Sequence, residues 1–295
     1  MHKTKFNELV LNITITPKSP LLVKAGGAQV NPALPDMQFV RTFHYEKGET
    51  IYIPGSSLKG VFRSYVERIL RTLSSDQSKT ACEITGENNC TKKIVDLMNE
   101  RELKSWEIYQ ESCRVCKLFG NGKLKSRISF LDAYPEGELK TEVRYSVAIS
   151  RLLQGVAAGP FEMETVVDGA FKTEIIITNF ECWHLGLVAL AFNGLNSGLV
   201  NIGFGKNKGF GRVELKVNKI TLSASKETPR NEIWGVGRFT SREEAEQYGF
   251  NFNDVLRIET APKECADILY RRVYDKEAWA EIAEKSIRIL KEVLR

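Results

Sequence analysis

Histidine is nearly absent from this 295-residue chain. The three present, His2, His44 and His184, share no spacing that would build a catalytic pair or a metal cluster. Only His44, near a loop rich in glycine and proline, is a candidate acid or base. No apolar run is long enough to cross a membrane as a helix, and residues 1–6 lack the apolar core of an export signal, so a cytoplasmic protein with no membrane partner is expected. A large excess of one charge is missing too: 42 Lys and Arg stand against 37 Asp and Glu, a net charge of +5. Any site for a polyanion must therefore be local rather than a property of the whole surface. Six cysteines without an export signal argue for a clustered metal site over a disulfide framework.

What is present is organised around residues 53–63, Ile-Pro-Gly-Ser-Ser-Leu-Lys-Gly-Val-Phe-Arg. Leu58, Val61, Phe62, Tyr65, Val66, Ile69, Leu70 and Leu73 recur at the i, i+3, i+4, i+7 spacing of a helix with one buried stripe. Ser56, Lys59, Gly60 and Arg63 share a neighbouring face, with Ser57 beside them. Hydroxyls and unpaired N–H groups at a helix start, two cations behind them and a glycine that clears the surface suit a phosphate. A serine cap on an ordinary surface helix with two solvated cations is the other reading.

Around that helix the chain falls into a simple order. Residues 9–16 alternate and read as a first strand, ended by Pro17 and Pro20. Residues 21–39 lose all period and collect Gly26, Gly27, Pro32 and Pro35, a long loop whose single acidic residue is Asp36. Residues 50–53 form a short extended lead into the helix. A polar insertion, about 74–126, follows and is too polar for a core of its own. Residues 127–134 predict a core strand, 141–168 a protruding hairpin, 171–178 another strand, and 181–197 a second helix with Leu185, Val188, Ala189 and Phe192 on one side. A glycine-rich run at 203–211 precedes a strand at 212–220. Strand, helix, strand, strand, helix, strand is the order of an α+β ferredoxin-like unit with helices on one face. It spans residues 1–220. Residues 221–295 form a C-terminal extension with a capping box at Ser241 and Glu244 and a last helix over about 277–294. No chemistry is visible in it.

Three motifs could carry chemistry. Cys113 and Cys116 have the spacing of a zinc knuckle, and Cys82 with Cys90 would complete four sulfurs in a closed structural site. Free thiols, or a redox pair at Cys113 and Cys116, are the alternatives. Seven residues separate Cys82 from Cys90, more than the usual knuckle. The 203–211 run has no Walker ending and opens onto no dinucleotide-binding helix. Its glycines, interleaved with Lys206, Lys208, Phe204 and Phe210, suit backbone laid against a phosphate chain, or else a tight turn with solvated lysines. Asp36 is either a catalytic carboxylate or a turn residue.

Taken together and in this order, residues 53–63, the Thr-Glu-Val-Arg at 141–144 and the 203–211 run resemble the RAMP superfamily of CRISPR systems, over about residues 9–220. The resemblance is greatest to the repeated backbone subunit of type III effector complexes. It implies a modified RNA-recognition-motif core, a crRNA partner, a complementary target RNA, and assembly with copies of itself or related RAMP subunits in antiviral defence. It also implies a β-hairpin thumb at 141–168 and a guide-backbone site at Ser56, Ser57, Lys59, Gly60 and Arg63. A second RNA-facing loop follows at Gly205, Lys206, Lys208 and Gly209, with Arg144 at the thumb. Zinc insertions occur in some members, which fits the four cysteines. The family's cleaving aspartate falls on Asp36, followed here by Met37 and Gln38 where the family commonly has a small residue and proline. Mg²⁺ or Mn²⁺ is then a candidate cofactor for cleavage. Some related subunits bind RNA without cutting it. The 221–295 extension exceeds what a minimal subunit needs, which suggests a contact with a neighbouring subunit.

Overall fold

The computed structural model describes residues 3–26, 34–73, 77–83, 86–265 and 267–295. Met1, His2, Gly27, Pro32 and the first residues of the expected insertion, 74–76, lie outside them.

The first strand, β1 (Asn7–Pro17), buries every second residue, so Leu9, Leu11, Ile13 and Ile15 face the helices while Glu8, Asn12 and Thr14 face away. A small hairpin, β2 (Arg41–His44) and β3 (Gly48–Ile51), leads into α1 (Gly55–Leu73). That helix buries Leu58, Val61, Phe62, Tyr65, Val66 and Leu70 of the stripe its periodicity predicts, leaving Ile69 half-buried and Leu73, at the helix end, exposed. The insertion is built from short helices, α2 (Gln77–Thr80), α3 (Cys90–Glu100), α4 (Ser105–Gln110) and α5 (Arg114–Phe119). After it come β4 (Ile128–Phe130), β5 (Tyr134–Pro135), the long hairpin β6 (Lys140–Ile149) and β7 (Val156–Asp168), then β8 (Phe171–Thr178). Next are α6 (Cys182–Asn196) and β9 (Val213–Ala224). The remainder holds β10 (Glu232–Trp234), α7 (Arg242–Tyr248), β11 (Val255–Arg257), β12 (Lys263–Cys265), β13 (Tyr270–Asp275) and α8 (Ala278–Val293).

The main sheet runs β12-β13-β9-β1-β8-β4, with β5 also on β8. Its antiparallel core β9-β1-β8-β4 sets the fourth, first, third and second strands of the expected unit side by side, the ferredoxin-like arrangement.

Three local expectations need correction, and one is met. The strand read over 127–134 is broken into β4 and β5, because Asp132 leaves the ladder to accept the Gly55 N–H at 2.7 Å. The insertion has no core of its own, as its polarity implies: Cys82, Ile94, Val115, Leu118 and Phe119 join the main core, while Tyr109 and Leu124 cluster with Val236, Ala245, Tyr248 and Phe250. The second helix is not one-sided; α6 is buried almost all round, since α8 covers the flank that α1 leaves open. Finally, residues 221–295 are built into this chain's own core. β9 passes through residue 220, β13 pairs along it, and α8 inserts Ala278, Ile282, Ser286 and Leu290, with Trp279 on the Phe192 ring at 5.1 Å between centroids.

The Asp132 contact generates a test of the α1 entry. A carboxylate satisfying the first N–H of a helix also complements its dipole. Asp132→Ala should lower stability by about 1–2 kcal/mol in urea denaturation, and an unchanged midpoint would remove Asp132 from that role.

Candidate nucleic-acid interface and metal centre

On the outer face of α1, Ser56 and Gly60 are exposed and Ser57 and Lys59 half-buried. Lys59 makes no ion pair among the described residues. Partial burial and then the nearby Arg63 charge lower its pKa, so an anion arriving there would relieve a cation that the fold leaves unsatisfied. A β-carbon at Gly60 would meet nothing within 4 Å. The helix start is less open than expected. The Gly55 N–H goes to Asp132, and those of Ser57 and Leu58 go to the Pro54 carbonyl at 2.9 and 3.2 Å. What faces outward is the Ser56 amide and two hydroxyls, rather than a row of free N–H groups.

Arg63 turns the other way. Its guanidinium donates to Glu67 Oε1 at 2.8 Å, to the Gly120 carbonyl at 3.1 Å and to Cys116 Sγ at 3.5 Å. It ties α1 to the insertion, so the phosphate-facing cation of this helix is Lys59.

Cys82, Cys90, Cys113 and Cys116 come together from three segments, all buried, with their sulfurs within 4.8 Å of one another. The Cys82 and Cys116 sulfurs are 3.7 Å apart, close to the edge of a tetrahedron built on a metal–sulfur bond of about 2.3 Å. The Cys113 N–H donates to Cys90 Sγ at 3.2 Å, and those of Cys82 and Cys116 to Cys113 Sγ at 3.4 Å each. Hydrogen bonds among the thiols hold Cys113 down at about 7 and push Cys90 up. A buried four-sulfur pocket, supplied with N–H donors and an adjacent guanidinium, is placed to hold a metal ion; four thiolates leave no open position for a substrate. The long Cys82–Cys90 spacing is accommodated because Cys90 opens α3, whose start lies against Cys113. Cys182 is buried elsewhere and Cys265 is exposed.

Asp36 is exposed at the root of the β6–β7 hairpin. Its Oδ2 accepts the Glu162 N–H at 2.9 Å, and Met37 pairs with the same strand through Met37 N–H to Glu162 O and Glu164 N–H to Met37 O, each 2.9 Å. The bond crosses 126 residues, whereas a turn aspartate bonds its own backbone two residues on. Beside it, Arg41 clamps Glu164 in a bidentate pair whose NH1 arm is 2.7 Å, and Glu164 also accepts the Phe39 N–H at 3.0 Å. Neither Arg41 nor Glu164 was visible as a site residue in the sequence, because only the folded hairpin joins them.

The glycine run closes the same region from the other side. The Phe204 N–H donates to Leu22 O at 2.7 Å, and Lys208 Nζ lies 2.9 Å from Ser146 Oγ on β6. Lys206 and Gly209 are exposed and Gly205 is half-buried. Gly203 and Gly211, in contrast, press against this chain's own backbone: a β-carbon would lie 2.2 Å from Leu22 O and 1.9 Å from Ile202 O. Those two serve the fold and not a phosphate chain. Arg144, on β6, pairs with Glu142 on its own strand. His44, at the end of β2, stacks on Tyr45 at 4.9 Å and meets Tyr134 of β5 edge-on at 4.6 Å.

The site thus belongs to a ferredoxin-like α+β protein with a long hairpin and a four-cysteine insertion. The model of the RAMP superfamily matches residues 14–214, and the chain belongs to that family. No curated protein matches the sequence. Membership makes this a CRISPR-associated RNA-binding protein, from a family whose members generally bind CRISPR RNA and act in multisubunit complexes. No helix among the described residues is long and apolar enough to cross a membrane.

The metal centre makes its own prediction. Purified protein should carry one zinc per chain by elemental analysis, and Cys113→Ser should reduce metal content and lower the melting temperature, since metal binding in such a pocket is folding energy. Cys265→Ser should change neither; equal loss in both variants would deny the four-sulfur assignment.

Proposed function

We propose that this protein is a crRNA-binding backbone subunit of a type III CRISPR ribonucleoprotein that binds complementary target RNA and cleaves it. The guide backbone lies along Ser56, Ser57, Lys59 and Gly60 of α1 and along Gly205, Lys206, Lys208 and Gly209, leaving bases free to pair. The hairpin 141–168 is the thumb. Ile149, Leu152 and Leu153 at its end are exposed, Leu152 by 90%, which suits a wedge that enters a duplex and unstacks one target nucleotide. Arg144 stands on the same hairpin. A structural zinc would be held by Cys82, Cys90, Cys113 and Cys116 and would stiffen the insertion, which Arg63 ties to α1 through Gly120 O and Cys116 Sγ.

The observation that carries cleavage is the position of Asp36. Its carboxylate is fixed by one oxygen to the root of the thumb, so the strand that would displace a nucleotide also sets the position of the acid. Its other oxygen remains available to take the proton of the target 2′-hydroxyl as that oxygen attacks the adjacent phosphate, in line with the departing 5′-oxygen. Mg²⁺ or Mn²⁺, if Asp36 holds one, would supply charge stabilisation at that phosphate.

In the assembled guide-loaded complex, Asp36→Ala should abolish target cutting and leave guide and target affinity within about twofold; retained cutting removes Asp36 from the chemistry. Wild-type complex that binds target and never cuts would make the protein an RNA-binding scaffold. Gly60→Ala gives a second test, of the α1 face. In a helix interior the change should stabilise the free protein by about 0.5–1 kcal/mol, and it should weaken guide binding. Stabilisation with unaltered guide affinity would show that no phosphate approaches Gly60.

A further inference from the structure

We infer that RNA contact extends beyond α1, along a second basic track that passes over the cysteine insertion by way of Lys125 to Lys3 and Lys123. Three depressions of about 490, 220 and 360 Å³ adjoin one another, and Lys125 lines all three. The first contains Lys59 and Arg63 beside Cys82, Cys90 and Cys116 of the metal centre, so the track starts between α1 and that centre; the others contain Lys3 and, respectively, Lys5 and Lys123. No aspartate or glutamate lines any of them. A chain with 37 acidic residues does not make this its rule: a cleft of about 500 Å³ beside the start of α6 mixes Lys93 and Arg114 with Glu111, Glu181 and Asp254.

Lys3, Lys59, Lys123 and Lys125 make no ion pair among the described residues, and only Lys5 is paired, with Glu8 at 2.6 Å. Lysines elsewhere divide: Lys18, Lys93 and Lys285 meet carboxylates, whereas Lys24, Lys140 and Lys219 make no ion pair among the described residues, so it is the absence of a lining carboxylate that sets the track apart. The first two linings carry no large exposed apolar side chain, and the apolar part of the third, Ile108, Tyr109, Leu124 and Tyr248, is buried or half-buried. Concave, lined by lysines and free of carboxylates among the described residues, the track fits a sugar–phosphate backbone read for charge and not for sequence. No sequence motif marks it, because Lys3, Lys59 and Lys125 converge only in the fold.

This inference rests on the RNA-binding reading above, and one titration separates the two. Binding of a fluorescent oligouridylate RNA to the full-length protein is followed by anisotropy across a salt series, for wild type, Lys123→Ala/Lys125→Ala, Lys59→Ala and a charge-matched control, Lys263→Ala/Lys276→Ala. The track predicts that the Lys123/Lys125 variant loses about 1.4 from the slope of log K against log salt, about 0.7 for each phosphate contact on a single strand, while the control keeps the wild-type slope. A slope equal to the control's, with Lys59→Ala still lowering it, overturns the track and leaves the α1 site standing. Wild type that binds no RNA at low salt overturns both. An unchanged RNA slope with altered self-association in sedimentation assigns the surface to a protein partner and also overturns the track. Should the double variant melt below wild type, Lys125→Gln alone carries the test, with half the change expected.

Discussion

A short set of main-chain hydrogen bonds outside any regular sheet holds the candidate interface together. The Leu21 N–H and Val166 N–H exchange bonds with each other's carbonyls at 2.9 and 2.8 Å, Val40 N–H reaches Val23 O at 2.9 Å, and Phe204 N–H reaches Leu22 O at 2.7 Å. Through these bonds the residues after β1 touch the hairpin root, the Asp36 segment and the glycine run at once. Irregular backbone must still satisfy its polar groups when it is buried. Here that requirement welds three distant stretches of sequence into one surface, and displacing any of them would strand donors and acceptors on the other two.

Charge is divided between two jobs along α1. Glu67 is buried, and a buried carboxylate is tolerable only when paired; Arg63 at 2.8 Å and Arg71 at 3.3 Å pair it from one turn either side. Both arginines then reach on to the insertion, Arg71 to the Cys82 carbonyl at 2.6 Å and Arg63 to Gly120 and Cys116. One face of the helix therefore pairs its buried carboxylate with two arginines, keeps one positive charge in excess and anchors the cysteine centre. Lys59 stays out of that network and remains free for an external anion.

Periodicity made the framework legible. β1 alternates without a fault and α1 keeps its buried stripe from Leu58 to Leu70, so the order of strands and helices could be read, and with it the ferredoxin-like sheet. The cysteine set was legible from residue type, since four of the six thiols fall in one short polar insertion. Illegible were facts that depend on who packs against whom. Asp132 looks like a strand residue until α1 arrives to offer an N–H. Arg63 occupies the phosphate-facing register of its helix, yet the insertion captures it. The 221–295 segment shows no chemistry in sequence, and its place becomes clear only when α6, apolar on every side, needs α8 to cover it.

Glycines show where such reading misleads and where it holds. Four of them in the 203–211 run suggest a cradle for phosphates, but Gly203 and Gly211 are explained by the carbonyls of Leu22 and Ile202 lying where side chains would be. Their presence follows from the fold and says nothing of a ligand. Gly60 is the opposite case. It sits inside a regular helix, where glycine costs stability relative to alanine, and no described neighbour lies within 4 Å of the space a side chain would fill. Crowding among the described residues therefore gives no reason for it, and the RNA-facing role proposed above would supply one. Its exposed face, shared with Ser56 and the unpaired Lys59, is where that partner would lie.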